Sequence, residues 1–400
     1  MARKARLQRS YPWCCWLLGA LGSACSDAGV VLSALPPESR PALAAVGLVA
    51  AGDEHACAIR DGDLFCWGLN GKGQAGGSAA AQLTPNRLGV GSRWQVVAAG
   101  SGSSCALRGD GQVWCWGDNA LGQLGTSDLI GGPLPRQVLL AKGAKSLSLK
   151  FNHACVVLDD GSLWCWGDNF EGQFGLGDFP PGQPEPLPKQ LPIAGMSWAS
   201  VATGQGHTCA IASDGSLWCW GRNTGGELGI GPGPGQMRTP VQVGSANDWL
   251  EVATGQSSTC GIRGKGELWC WGQSIEASLG TGVSDEAIQF PKQIGTASDF
   301  VHIAGNTFHS CALRRSSEGK LWCWGRRQEG QLGEALSTPR VVPELFDSNL
   351  TWQGVAIGRF FTCAWKADGL FCTGENSQGQ LGLGDTSRRQ AATLLSLPEP

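Results

Sequence analysis

The 400-residue chain holds one tyrosine, three methionines and five histidines, and only 16% of its residues are charged. An intrinsically disordered chain is poor in apolar residues and rich in charge; here 42% of residues are hydrophobic, which excludes that class. The net charge of −3 becomes more acidic once Arg3, Lys4, Arg6 and Arg9 at the N-terminus are set aside. A phosphate backbone demands a surplus of Lys and Arg, so nucleic acid is not expected as a partner. Helical periodicity is absent, and no stretch after the N-terminus is long and apolar enough to be a membrane-spanning helix. The 61 glycines do not recur every third position, which rules out collagen.

What is present is lopsided. Eighteen tryptophans stand against the one tyrosine, the bias left by one short motif copied many times. The N-terminus has three parts: the basic head, an apolar stretch from Trp13 to Gly22, and small residues Gly22, Ser23 and Ala24. This is the layout of a secretory signal, too short to span a bilayer. Leu21-Gly22-Ser23-Ala24-Cys25 resembles a bacterial lipobox, in which the cysteine is acylated. Simple cleavage after Ala24 is the alternative. Residues 1–25 are therefore expected to be a signal peptide of lipoprotein type. Residues 26–44, rich in Ala, Ser and Pro, are expected to be a tether. The protein is expected in the cell envelope, anchored through Cys25, or else periplasmic or extracellular.

The other fourteen cysteines form seven pairs: Cys57/Cys66, Cys105/Cys115, Cys155/Cys165, Cys209/Cys219, Cys260/Cys270, Cys311/Cys323 and Cys363/Cys372. The first members recur about every 50 residues, the signature of a repeat architecture. Each unit has an apolar stretch ending near Gly, a short strand at the first Cys, and a Gly turn that is Asp-Gly in five units. A strand such as Leu163-Trp164-Cys165-Trp166-Gly167 follows, then a Gly-rich loop, then a last strand often opening near Pro, as at Pro240. Four short strands per unit is the spacing of a propeller blade. The expected fold is all-β: one seven-bladed propeller over residues 45–400. Its first strand is expected at 46–52 and its last at 390–397. Paired cysteines across a hairpin turn face one another within disulfide range, so an exported chain should carry one disulfide per blade.

At these motifs the chain resembles the regulator-of-chromosome-condensation repeat family, in an exported bacterial form. Gly204 to Ala210 and Gly117 to Gly125 carry the resemblance best, and it covers about residues 46–397. The fifth and sixth units depart from it in the loop, at Gln273 to Ser278 and at Arg326-Arg327. The resemblance implies a seven-bladed propeller. It leaves function open, because such propellers include exchange factors, light receptors and enzyme inhibitors.

No catalytic constellation, metal site or cofactor motif is expected. His55, His153, His207 and His309 share one place two residues before the first Cys, but Ser103, Ser258 and Phe361 hold it elsewhere, so no ring of ligands closes. They are expected to make structural hydrogen bonds, and the position-locked tryptophans to pack between blades. In an antiparallel four-stranded blade, the connections between strands one and two and between three and four emerge on one face. On that rim Phe151, Phe170, Phe179, Phe308 and Phe360 stand where sister repeats carry small or polar residues. Asp53, Glu54, Asp118, Asp168, Glu171 and Asp178 accompany them. Aromatic anchors in a polar surround fit a protein interface. The expectation is a monomeric, non-enzymatic scaffold binding an unidentified protein through this rim. The alternatives are a hydrolase or lyase working at the axial channel and a guanine-nucleotide exchange factor.

If Cys25 carries lipid, Cys25→Ser should release the protein from the membrane fraction or block its maturation. Fractionation with intact-mass measurement checks this; unchanged partitioning and mass would mean that Cys25 is not acylated.

Overall fold

The computed structural model describes residues 49–89, 91–177, 184–315, 319–347 and 351–399. The leader, the tether, Cys25 and Phe179 lie outside the described residues. Seven four-stranded sheets follow one another along the chain, each with its strands in sequence order, and neighbouring strands are antiparallel. The all-β seven-bladed propeller is thus the observed fold. Blade one begins with Val49–Ala51 and ends with Ala81–Leu88; blade seven begins with Gly354–Ile357 and ends with Arg389–Leu395. These two blades share no strand, so the ring closes by contacts between separate sheets.

Both terminal strands end sooner than the sequence suggests; the expected start of the first, 46–48, lies outside the described residues. The first stops at Ala51 because Gly52 N–H turns back to the His55 carbonyl at 2.9 Å. The last stops at Leu395 because the carbonyls of Leu397 and Pro398 accept from the Arg60 guanidinium of blade one.

Within every blade the paired cysteines stand opposite each other on strands two and three. All seven pairs are disulfides: Cys57–Cys66, Cys105–Cys115, Cys155–Cys165, Cys209–Cys219, Cys260–Cys270, Cys311–Cys323 and Cys363–Cys372, with Cα atoms 4.0–4.1 Å apart. Closing so short a loop stabilises the fold by at most about 2.5–3 kcal/mol per bridge. Just past the second cysteine the pairing with strand four shifts register, between Cys115 and Gly117, Cys270 and Gly272, and Cys323 and Gly325 among others. The sequence shows that glycine but not the irregularity it permits. Gly117 takes φ 104°, Gly272 97° and Gly325 99°, a region open to glycine and closed to most other residues.

The core is not central. It consists of seven wedges, one between each pair of adjacent blades, because a blade sheet is covered on both faces. Trp67, Trp116, Trp166, Trp220, Trp271 and Trp324, each following the second Cys, are fully buried in these wedges.

The wedges are locked by a repeated polar junction. Trp220 of blade four donates its indole N–H to the Gln173 carbonyl in the loop of blade three, at 2.6 Å. The Thr208 hydroxyl donates to the same carbonyl at 2.8 Å, and His153 of blade three meets that hydroxyl at 2.9 Å. Since the hydroxyl donates to the carbonyl, the imidazole Nε2 must carry the proton and donate to the hydroxyl. The same four parts recur as His55, Ser104, Trp116 and the Gln74 carbonyl, and as His207, Thr259, Trp271 and the Glu227 carbonyl. His309 meets the Thr362 hydroxyl at 2.9 Å, at a junction where Thr373 stands in the tryptophan place. Each of these rings is buried, and its Nδ1 has no partner among the described residues.

Burial therefore holds the four histidines neutral, His55 down to about 4 and His153, His207 and His309 down to about 3. An unfolded chain binds these protons near the ordinary value of 6.5, and the folded chain does not. Their contribution to stability is complete above that pH and falls as pH drops below it, by up to about 1.4 kcal/mol per pH unit for each ring. Denaturant unfolding with disulfides intact should show a clear loss of stability from pH 7 to pH 5. His207→Gln should shrink that slope by about one proton. A flat profile would mean that these rings titrate normally.

Candidate functional site

One face of the ring gathers the short connections between strands one and two and the Gly-rich loops between strands three and four. In each blade the residue leaving strand three donates its N–H to the segment joining strands one and two: Asp118 to Gly102 at 2.8 Å, Arg222 to Gly206 at 2.7 Å, Arg326 to Phe308 at 2.8 Å, Glu375 to Phe360 at 3.0 Å. The tight turns lie on the opposite face, where they receive the links between blades, as Trp198 N–H to Gly161 O at 2.9 Å and Trp249 N–H to Gly215 O at 3.1 Å.

The consensus of the rim loops is explained by self-satisfaction of their backbone. The Asn119 side chain accepts the N–H of Leu124 at 3.0 Å and donates to the Asp128 carbonyl at 2.8 Å. The Gln123 side chain accepts the N–H of Leu121 at 2.8 Å. Asn169/Gln173 and Asn376/Gln380 repeat the device. These residues stiffen the loops and leave the remaining side chains free to vary.

The five rim phenylalanines fare differently. Phe170 is 45% exposed, its N–H held by the Asp168 carboxylate at 3.0 Å. Phe179 lies outside the described residues. Phe151 is not on the surface: it is only 8% exposed, because its backbone turns into the left-handed region at φ 52° and tucks the ring inward. Its carbonyl accepts Ser101 N–H from blade two at 3.1 Å. Phe308 and Phe360, from blades six and seven, come together and stack at 4.9 Å with 17° between the rings. Both are half-buried at the rim. Arg326 lies 5.3 Å from the Phe360 ring centre and Arg359 lies 5.2 Å from it. Arg326 is fixed by Glu276 and Glu329, each at 2.7 Å. Arg359 is exposed and makes no ion pair among the described residues.

Below the rim the axial channel encloses about 170 Å³ and is lined by the innermost strands. Five of the seven units place Gly at its mouth. A Cβ on Gly100 would come within 2.5 Å of the Phe151 carbonyl, and one on Gly255 within 2.6 Å of the Asn306 carbonyl. Asn306 and Lys150 hold this place in the other two. Lys150 reaches across the mouth and donates to the carbonyls of Thr254, at 2.8 Å, and Gly305. Burial lowers its ammonium to about 8, against the pull of Asp53. Deeper in, Glu251 and His302 pair at 2.8 Å, and the other imidazole nitrogen faces the Val355 carbonyl at 3.2 Å. Burial pushes the Glu251 carboxyl up. Burial opposes a charged His302, yet the Glu251 carboxylate beside it holds the ring above the ordinary histidine range. One proton shared across this contact leaves the pair neutral.

Lys150, Glu251 and His302 escaped the sequence reading. Each had a signal: a lone Lys three residues before the His place where five units keep Gly, and two ionisable residues at matching places in adjacent apolar strands. Among the described residues no three His, Cys, Asp or Glu converge as a metal site.

Residues 8–295 match the RCC1-like domain, and residues 318–365 and 300–331 match the regulator of chromosome condensation (RCC1) repeat. The ultraviolet-B receptor UVR8 of Arabidopsis thaliana is 30% identical over 363 residues, 87% of this chain and 81% of that protein. The probable E3 ubiquitin-protein ligase HERC4 of Mus musculus is 30% identical over 210 residues, half of this chain but only 19% of that ligase. Among solved structures, human WBSCR16 superposes with a TM-score of 0.75 at 20% identity, covering 85% of this chain and 95% of that one. Prp20p of Saccharomyces cerevisiae, described with its binding to Gsp1p and histones, gives 0.75 at 17% identity over 89% and 87%. At such identities the two structures share the fold.

Proposed function

For a chain that belongs to the RCC1-like family of propellers, with its Gly-rich loops gathered on one rim, we propose the role of an exported, non-enzymatic scaffold that binds a protein partner on that rim. The observation that carries the reading is the Phe308–Phe360 stack with Arg359 beside it. Two aromatic rings and a guanidinium without an ion pair among the described residues, carried on the short segments joining strands one and two, have the composition of an interface anchor. The partner-binding centre is then the junction of blades six and seven, with Phe170 as an outlying contact; Phe151 of blade three is buried. The relatives lend support in kind: one is a receptor, and another is described with its binding to Gsp1p and histones.

Export is supported by the seven disulfides, which persist in oxidising compartments, and by the leader with its lipobox-like Cys25. The channel does not favour an enzyme: Lys150 is engaged by two carbonyls, and Glu251 and His302 neutralise each other.

A partner captured from the cell envelope should bind the double variant Phe308→Ala/Phe360→Ala about 30-fold more weakly, with circular dichroism unchanged. Asp110→Lys and Asp214→Lys, on the opposite face, should leave affinity unaltered. Titration calorimetry decides; a sensitive turn face with a silent rim would reverse the assignment.

A further inference from the structure

The outer strand of every blade is an unpaired sheet edge, and six of the seven are blocked in one way. The residue just before the one that faces the second Cys is proline: Pro85, Pro135, Pro188, Pro240, Pro291 and Pro343, preceding the partners Asn86, Arg136, Lys189, Val241, Lys292 and Glu344. In blade seven Cys372 faces Thr393, so the corresponding residue is Ala392.

The ladder shows which way these groups point. In blades two, three, four and six the second residue after the one facing the cysteine donates inward to strand three: Val138 to Val113 at 2.9 Å, Leu191 to Leu163 at 2.9 Å, Val243 to Leu217 at 2.8 Å, Phe346 to Leu321 at 2.9 Å. Antiparallel residues alternate in the side to which they bond. The proline nitrogen therefore faces the open edge, where it removes the donor that an incoming strand would use. By the same register Ala392 and Leu394 turn their N–H and C=O groups outward from blade seven, and Leu394 is also 52% exposed.

We propose that the outer strand of blade seven, Arg389–Leu395, pairs antiparallel with the same strand of a second copy of this chain. A twofold axis at Thr393 sets Ala392 opposite the partner's Leu394, and Leu394 opposite the partner's Ala392. The four outward groups of each copy then satisfy those of the other, with no sequence required beyond this strand. The small Ala392 leaves room beside each Leu394 side chain. Within the strand this register also sets Ala391 opposite the partner's Leu395, and Arg389 lies beyond the paired segment. Like charges do not meet. The contact is short, so the dimer is weak and concentration-dependent. It leaves the loop rim free, and its success or failure does not bear on rim binding.

Ala392→Pro installs the residue that six sister strands already hold, so folding and thermal stability should be unchanged. Sedimentation velocity of the purified protein over a wide concentration range should show a monomer–dimer equilibrium. Ala392→Pro should raise its dissociation constant at least about tenfold, and Leu394→Lys, at an exposed side chain, should do the same. Hydrogen exchange should show the Ala392 and Leu394 amides slowing as concentration rises, with Gln137 of blade two unaffected. A wild-type protein monomeric throughout, or a dimer that survives both substitutions, would overturn the proposal. Should Ala392→Pro disturb the fold, Leu394→Lys together with amide exchange still decides.

Discussion

The ring depends on the junction at which one blade's loop carbonyl is held by the next blade's tryptophan. In the full version a hydroxyl donates to the same carbonyl and accepts a hydrogen bond from a histidine of the first blade. Three of these four groups are side chains buried away from water, where an unmade hydrogen bond costs more than a made one contributes. The junction is therefore specific as well as stabilising: a blade docked a few ångströms out of place would leave several buried polar atoms unsatisfied. The disulfides act within blades and do nothing directly to hold one blade to another. Six indole N–H groups, from Trp67, Trp116, Trp166, Trp220, Trp271 and Trp324, clamp loop carbonyls at six of the seven junctions, and at the seventh, between blades six and seven, Thr373 holds the tryptophan place and donates its hydroxyl to the Gly330 carbonyl.

The same junction fixes the rim. The clamped carbonyls belong to the Gly-rich loops, so the groups that lock the blades also anchor the surface offered to a partner. Phe308 and Phe360 lie on the segments joining strands one and two, where the N–H groups of Arg326 and Glu375 hold their carbonyls, and Lys150 ties blade three to blades five and six across the channel mouth. A rim with fixed loops binds without losing much conformational freedom.

The fold was legible in the sequence because the cysteine pairs, Asp-Gly turns and tryptophans recur in phase. Seven periodic copies of one pattern overrule any single ambiguous segment. The pairing of Cys115 with Cys105, Cys270 with Cys260 and Cys323 with Cys311 could be read from hairpin spacing alone, because each partner lies across one turn. The histidine role was legible for the same reason of recurrence. What was not legible was the side on which a loop residue lies. Phe151 and Phe308 look alike as aromatic departures from the consensus. Yet one is turned inward by a single left-handed backbone residue and the other is met by a ring from the next blade, and neither event is written in the local sequence. Glu251 and His302 were hidden differently. They are about 50 residues apart, and only the closure of the ring brings them to 2.8 Å.

The junctions are unequal. Those between blades one and two, three and four, and four and five have all four parts. Two lack both the histidine and the hydroxyl: blades two and three, with Ser103 and Ala154 in those places and Trp166 on the Gln123 carbonyl at 3.0 Å, and blades seven and one, with Phe361 and Ala56 and Trp67 on the Gln380 carbonyl at 2.9 Å; no chain link crosses the second. Native-state hydrogen exchange in mild denaturant tests the account most directly. If junction chemistry holds the ring, the lowest-energy opening exposes amides along the boundary of blades seven and one, and those of blades four and five exchange last. Equal protection around the ring, or a first opening between blades four and five, would contradict it.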